Sequence, residues 1–134
     1  MFILALANGY FFNWLNDYLQ YPVGQQDIVK MSKTNKVLLL IVIGPVLETV
    51  LFQYLPISIA QRFTKKKWVI IFSSSVVFGL GHLYNPVYFT MAFFGGVICS
   101  YLFIYSEERK KSGILFCIVF HSLYNLYGLL LISD

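Results

Sequence analysis

The feature that most constrains this chain is an apolar run from Val37 to Ala60, interrupted by only a few polar side chains. A helix needs about 20 consecutive, mainly apolar residues to cross the hydrocarbon core of a bilayer. The run meets that length, and a soluble domain of 134 residues could not bury it together with the other apolar residues. The sequence therefore predicts an integral membrane protein in which residues 1–134 form a single transmembrane domain.

Composition supports this prediction and excludes another class of function. Hydrophobic residues make up 58% of the chain and charged residues only 12%, whereas soluble domains carry about 25% charged residues. The net charge of +4 resembles that of a nucleic-acid-binding protein. The basic residues, however, lie between the apolar runs, where they mark membrane topology. We therefore expect a lipid bilayer as the surroundings and no nucleic acid partner.

Five apolar runs organise the chain. Three are clear spans, a fourth is shorter, and the first is broken by asparagines, so that it is compatible with a span, an interfacial helix or a signal-like segment. The predicted fold class is all-α: a polytopic transmembrane helix bundle of four spans plus one N-terminal helix whose membrane crossing stays open. The four spans are Val37–Ala60, Trp68–Leu83, Val87–Tyr105 and Gly113–Ile132, and the first run is Phe2–Leu19.

The connections predict the orientation in the membrane. The turns at 62–67 and 109–111 carry seven lysines and arginines, whereas the opposite side carries Lys30, Lys33 and Lys36. Cytoplasmic loops are enriched in Lys and Arg. We therefore expect both basic turns in the cytoplasm and Asp134 outside. Cys99 and Cys117 lie inside apolar runs, which argues against a disulfide framework.

Polar residues of different spans converge at one depth. At 1.5 Å per residue, Glu48, His82 and Asn125 lie roughly 18–21 Å from the basic turns, and His121 roughly 12 Å. His121 and Asn125 are four residues apart and share a helix face. An acid near the middle of a membrane helix costs about 2.5–3.5 kcal/mol even on lenient scales, and it normally faces a polar cavity and a partner.

This set suits water activation. A Glu–His pair around a trapped water is a natural general-base device. Pro45 cannot donate a backbone hydrogen bond to Ile41, which frees a carbonyl and allows a kink next to Glu48. The alternatives are structural pairing of Glu48 with a histidine, packing roles for the histidines, and a proton or ion pathway. The hydroxyls of Ser73–Ser75 fit helix packing better than nucleophilic attack, and Gly95, Gly96, Cys99 and Ser100 fit close helix approach.

Three motifs in order resemble the CPBP family, the CAAX-protease and bacteriocin-processing (Abi) group of intramembrane endopeptidases. They are "ETVLFQ" at 48–53, "FGLGH" at 78–82 and "HSLYN" at 121–125. The family shows Glu-Glu-x-x-x-Arg, Phe-x-x-x-His and His-x-x-x-Asn, each on its own transmembrane helix. The resemblance covers about residues 37–132. It implies a glutamic endopeptidase in which Glu48 and His82 activate water while His121 and Asn125 stabilise the oxyanion.

Two positions depart from the family pattern. Thr49 replaces the second glutamate and Gln53 replaces the arginine. Because both members of a potential ion pair are absent, no uncompensated charge is left. The resemblance implies that the first glutamate, and not the second, activates water. The departure nevertheless keeps open a non-catalytic relative that acts in bacteriocin self-immunity or as a scaffold.

The remaining expectations concern the cofactor, the substrate and the cellular location. We expect no cofactor, although one carboxylate and two histidines could also ligate Zn²⁺ with water in the fourth position. The primary function hypothesis is hydrolysis of a peptide bond, with a peptide or membrane protein as the substrate. The expected location is a bacterial cell membrane. The sequence does not identify the substrate.

Overall fold

The structure is a computed structural model that describes residues 1–21 and 31–131. Those residues form five helices and no strand, which confirms the predicted all-α fold class. The connection around Pro22, Gly24 and Lys30 and the C-terminal residues Ile132 and Asp134 lie outside the described residues. The helices are α1 (Phe2–Leu19), α2 (Lys33–Phe63), α3 (Lys67–Leu80), α4 (Pro86–Glu108) and α5 (Gly113–Leu131).

Three of these helices are long and apolar enough to cross a membrane: α2, α4 and α5. The helix at the predicted span Trp68–Leu83 is shorter than expected. Helix α3 has 14 residues and ends at Leu80, whereas the sequence predicted a helix through Leu83. A turn over 81–84 follows, in which the His82 amide donates to the Gly79 carbonyl at 2.8 Å. His82 therefore lies in a turn and not on a helix.

Helix α2 is continuous through both of its prolines because the chain widens its turns there. Residues Leu38–Ile43 and Val50–Tyr54 are π-helical, and Pro45 and Pro56 follow these segments closely. A proline ring in a regular helix clashes with the carbonyl four residues earlier. A π turn, which pairs residues five apart, relieves that clash.

Side chains define where α4 and α5 begin. Asn85 caps α4: its Oδ1 accepts from the amide of Val87 at 2.8 Å. Pro86 occupies the first helical position, where its missing N–H costs nothing. The Gly113 amide donates to Glu107 Oε1 at 2.6 Å, which joins the end of α4 to the start of α5.

Helix α4 lies at the centre of the bundle and packs against α1, α3 and α5. The buried apolar cluster joins α2, α3, α4 and α5, and it includes both free cysteines. Cys117 donates from its thiol to the Cys99 carbonyl at 3.1 Å. The cluster consists of Ile57, Ile70, Cys99, Phe103, Ile104 and Cys117.

The asparagines that interrupt the first apolar run bind the loop and helix beside them. Asn8 donates to the Met91 carbonyl at 3.0 Å. Asn16, which is buried, accepts from Asn85 at 2.8 Å. Interhelical hydrogen bonds of this kind hold helices together where lipid surrounds them. The polar residues of α1 thus serve its packing on α4.

The two basic turns lie at the same end of the bundle. Lys67, at the start of α3, forms an ion pair with Glu108, at the end of α4. Large apolar side chains cover the outer faces of the helices, as expected for surfaces that meet lipid. The shared side of the two turns agrees with the sequence-based topology, and their cytoplasmic location stays a prediction.

Candidate active site

Glu48 lies in the six-residue α-helical stretch Gly44–Thr49, between the two π segments of α2. Helical side chains lean toward the preceding turn, and that of Glu48 lies over Gly44. A Cβ placed on Gly44 would lie 3.6 Å from Glu48 Oε1 and 2.9 Å from the Leu39 carbonyl oxygen. Glycine at this position therefore leaves room for both the carboxylate and the wide turn.

The carboxylate of Glu48 pairs with an imidazole of α5. Glu48 Oε2 lies 3.6 Å from His121 Nε2, and the Glu48 side chain is 34% exposed whereas that of His121 is 10% exposed. The other ring nitrogen of His121, Nδ1, lies 3.5 Å from the hydroxyl of Thr49. Adjacent residues of α2 thus contact both nitrogens of one ring, which fixes the orientation of His121 against Glu48.

His82 joins this cluster from the turn after α3. Its Nδ1 lies 3.2 Å from the Phe78 carbonyl oxygen. The Phe78 ring contacts both imidazoles, with centroid distances of 5.5 Å to His82 and 5.6 Å to His121. The imidazole that contacts Glu48 is that of His121, whereas the sequence resemblance implies a pairing of Glu48 with His82.

Tyr84 is a member of the site that the sequence did not single out. Its ring lies 6.0 Å from that of His82. Its position in the sequence, two residues after His82 and in the same turn, could have indicated that it lies beside His82.

Asn125 lies one turn after His121 on α5 but binds the backbone of α2. Its Nδ2 donates to the Leu40 carbonyl at 2.9 Å. Leu40 belongs to the first π segment, eight residues before Glu48. Of the four predicted site residues, Glu48 and His121 are therefore in contact, His82 adjoins them through Phe78, and Asn125 is bonded to the helix that carries Glu48.

Gln53 forms a buried polar cluster on the side of the site that is nearer to the basic turns. Its Oε1 accepts from the hydroxyls of Ser74 at 2.9 Å and Ser100 at 2.7 Å, and these two hydroxyls lie 2.7 Å apart. All three side chains are buried. The amide of Gln53 thus connects three helices without the ion pair of the family pattern. Ser74 acts here in helix packing, as the sequence suggested.

Metal ligation was the other chemistry that the sequence left open. Within residues 1–21 and 31–131, no three His, Cys, Asp or Glu side chains are arranged to hold a metal ion. Glu48 and His121 provide two candidate ligands in contact, and both are oriented by neighbouring groups.

Comparison with known proteins identifies the family. Residues 31–127 match the family described as type II CAAX prenyl endopeptidase Rce1-like. No curated protein and no solved structure matches the chain. The match includes all three motifs from which the resemblance was inferred, and it covers most of the chain. The resemblance is therefore confirmed: this chain belongs to the Rce1-like family of CAAX-type intramembrane proteases.

Proposed function

We propose that the protein is an intramembrane endopeptidase that hydrolyses a peptide bond with a water molecule activated by Glu48. The observation that carries the proposal is the contact between Glu48 Oε2 and His121 Nε2 at 3.6 Å, with Thr49 at the opposite ring nitrogen. A carboxylate that is 34% exposed and lies beside an oriented imidazole suits general-base catalysis, which needs a base that water can reach.

The proposed reaction needs only groups of this site. Glu48 takes a proton from water as the water oxygen attacks the carbonyl carbon of the peptide bond. The developing oxyanion accepts a hydrogen bond from Nε2–H of His82 in its protonated form, in which Nδ1–H donates to the Phe78 carbonyl. Donors placed beside an oxyanion stabilise its charge. Glu48 then returns the proton to the leaving amine nitrogen as the C–N bond breaks. His121 orients Glu48 through the contact of its Nε2 with the carboxylate.

The family description suggests where to look for a substrate. A CAAX prenyl endopeptidase acts at a peptide that bears a prenylated cysteine, so both prenylated and unmodified peptides belong in the screen. The purified protein would be reconstituted in liposomes and tested with internally quenched fluorescent peptides, each with and without a farnesyl group on cysteine.

The decisive variant is Glu48→Gln, which keeps the side-chain size and removes the base. We expect cleavage to fall by about two to four orders of magnitude, as is typical when a general base is lost. The matched control is Glu107→Gln, because it makes the same chemical change and keeps an oxygen for the Gly113 amide. Full activity of the Glu48→Gln protein would refute the proposal.

A second candidate function is a non-catalytic membrane protein in bacteriocin self-immunity or scaffolding. Thr49 and Gln53, which depart from the family pattern, both form hydrogen bonds with side chains of neighbouring helices. The polar groups at these two positions are therefore paired without the ion pair of the family pattern. This observation favours a site retained for binding. If wild-type protein cleaves no peptide, and Glu48→Gln protects a host as well as wild type does, this second function replaces the first.

A further inference from the structure

The first π segment of α2 leaves one backbone carbonyl without its helical donor. The Gly44 amide donates to the Leu39 carbonyl, five residues earlier. In the same register the next amide would serve Leu40, but that position is Pro45, which has no N–H. An unpaired carbonyl at membrane depth costs several kcal/mol unless another group satisfies it.

The side chain of Asn125 supplies the missing donor. Its Nδ2 lies 2.9 Å from the Leu40 oxygen, which is a distance typical of a good N–H···O hydrogen bond. The bond joins α5, one turn after His121, to α2, a short distance before Glu48. It therefore connects the two helices whose side chains form the Glu48–His121 contact.

We propose that Asn125 is a positioning residue that replaces the backbone donor lost at Pro45 and so sets the distance between Glu48 and His121. The proposal rests on the proposed function for its effect on catalysis, but its structural half does not. The resemblance implied an oxyanion role for Asn125. In the geometry observed here one of its two amide N–H groups is committed to Leu40.

The two roles differ in what can rescue a loss of Asn125. Asn125→Leu removes the donor at nearly constant size. Pro45→Ala restores a backbone N–H beside the same carbonyl, or lets the segment return to a regular helix in which Leu40 has its own donor. A backbone N–H inside α2 can replace a positioning bond, but it cannot replace a donor to substrate.

The experiment is a double-mutant cycle of Asn125→Leu and Pro45→Ala in reconstituted full-length protein, with kcat, KM and the thermal unfolding midpoint measured. We expect Asn125→Leu alone to lower kcat by up to about 100-fold, as small misplacements of catalytic groups do. KM should change little, and the midpoint should fall. In the Pro45→Ala background the same substitution should change kcat by less than about threefold, because the shared partner is no longer needed.

The second proline of α2 provides the control. Pro56 follows a π segment in the same way: the Leu55 amide donates to Val50, five residues earlier. Pro56→Ala makes the same chemical change in a segment that Asn125 does not contact. It should therefore leave the effect of Asn125→Leu undiminished, which separates specific rescue from a general gain in helix stability.

The outcomes distinguish failure of this inference from failure of the proposed function. If the wild type cleaves no peptide, the proposed function fails, and the unfolding midpoints still test the bond between Asn125 and Leu40. Equal rescue by Pro56→Ala overturns the inference. Rescue of the midpoint without rescue of kcat overturns the positioning role and returns Asn125 to the oxyanion. If Asn125→Leu does not fold alone, recovery on adding Pro45→Ala supports the inference, and no recovery overturns it.

Discussion

Two adjacent glycines of α4 allow a sharp test of how closely α3 and α4 pack. A Cβ added to Gly96 would lie 3.0 Å from Ser75 Cα, 3.1 Å from Gln53 Nε2 and 3.2 Å from Phe78 Cβ. A Cβ added to Gly95 would have nothing within 4 Å outside its own helix neighbourhood. The two substitutions Gly96→Ala and Gly95→Ala are chemically the same, so the difference between them reports the contact alone.

The expected magnitudes follow from two opposing effects. Alanine in place of glycine in a helix interior stabilises by about 0.5–1 kcal/mol through the lower entropy of the unfolded chain. Overpacking of a closed contact costs about 1–3 kcal/mol. Because the nearest atom to the new Cβ on Gly96 is backbone, no rotamer change can relieve it. We expect Gly95→Ala to raise the free energy of unfolding by up to about 1 kcal/mol, and Gly96→Ala to lower it by about 1–2 kcal/mol.

Unfolding in mixed detergent micelles, titrated with a denaturing detergent and followed by tryptophan fluorescence, would measure both variants. Trp14 and Trp68 provide the signal. Gly96→Ala should also lower cleavage, because Gln53 and Phe78 border the site. If both variants have the same stability, α3 and α4 are not in close contact at Gly96, and the packing described here is wrong.

Four further outcomes can be checked. Ser100→Ala removes one hydroxyl that donates to Gln53, and it should lower the free energy of unfolding by about 0.6 kcal/mol, the average for such bonds in membrane proteins; unchanged stability would contradict the bond. Thr49→Glu together with Gln53→Arg restores the family pair and should keep the fold, whereas either change alone should destabilise because it buries an unpaired charge. Cleavage that persists in strong chelators would agree with water activation by Glu48, and a loss reversed by zinc would establish metal dependence. Cysteines engineered at 64–67 and 109–111 should resist an impermeant label added to intact cells, and labelling there would reverse the topology.

The fold was largely predictable because a helix that crosses the lipid core needs about 20 consecutive, mainly apolar residues, and such runs are visible in the sequence. Each long apolar run became a helix, and the observed ends of α2, α4 and α5 differ from the predicted spans by a few residues. The exception is α3, where hydropathy continued through Leu83 but the helix stopped at Leu80. The helix ends in a turn in which the His82 amide donates to the Gly79 carbonyl, three residues earlier, and an apolar count does not respond to backbone conformation.

The sequence predicted that the candidate site residues lie near one another, but it did not predict their contacts correctly. The sequence identified Glu48 by the free-energy cost of placing an acid in the membrane interior, because such a residue needs a polar partner. Depth estimates placed the histidines at a similar level, but they could not say which imidazole Glu48 meets. That choice depends on how far each helix is rotated about its axis and on the turn that carries His82. The contact with His121 follows from those rotations, which no spacing in the sequence encodes.

The π segments are the part of α2 that sequence reasoning anticipated only as a kink. The sequence predicted a kink at Pro45, because a proline ring collides with the carbonyl four residues before it. The chain instead widens one turn ahead of each proline and continues as a single helix over Lys33–Phe63. A wide turn avoids the collision but shifts the unpaired carbonyl from Ile41 to Leu40, where Asn125 can reach it. Glu48 lies between these two wide turns, on a helix whose direction is set by side chains of α5 as well as by its own hydrogen bonds. The local weakness of α2 at Pro45 is thus what allows α5 to control where the carboxylate of Glu48 points.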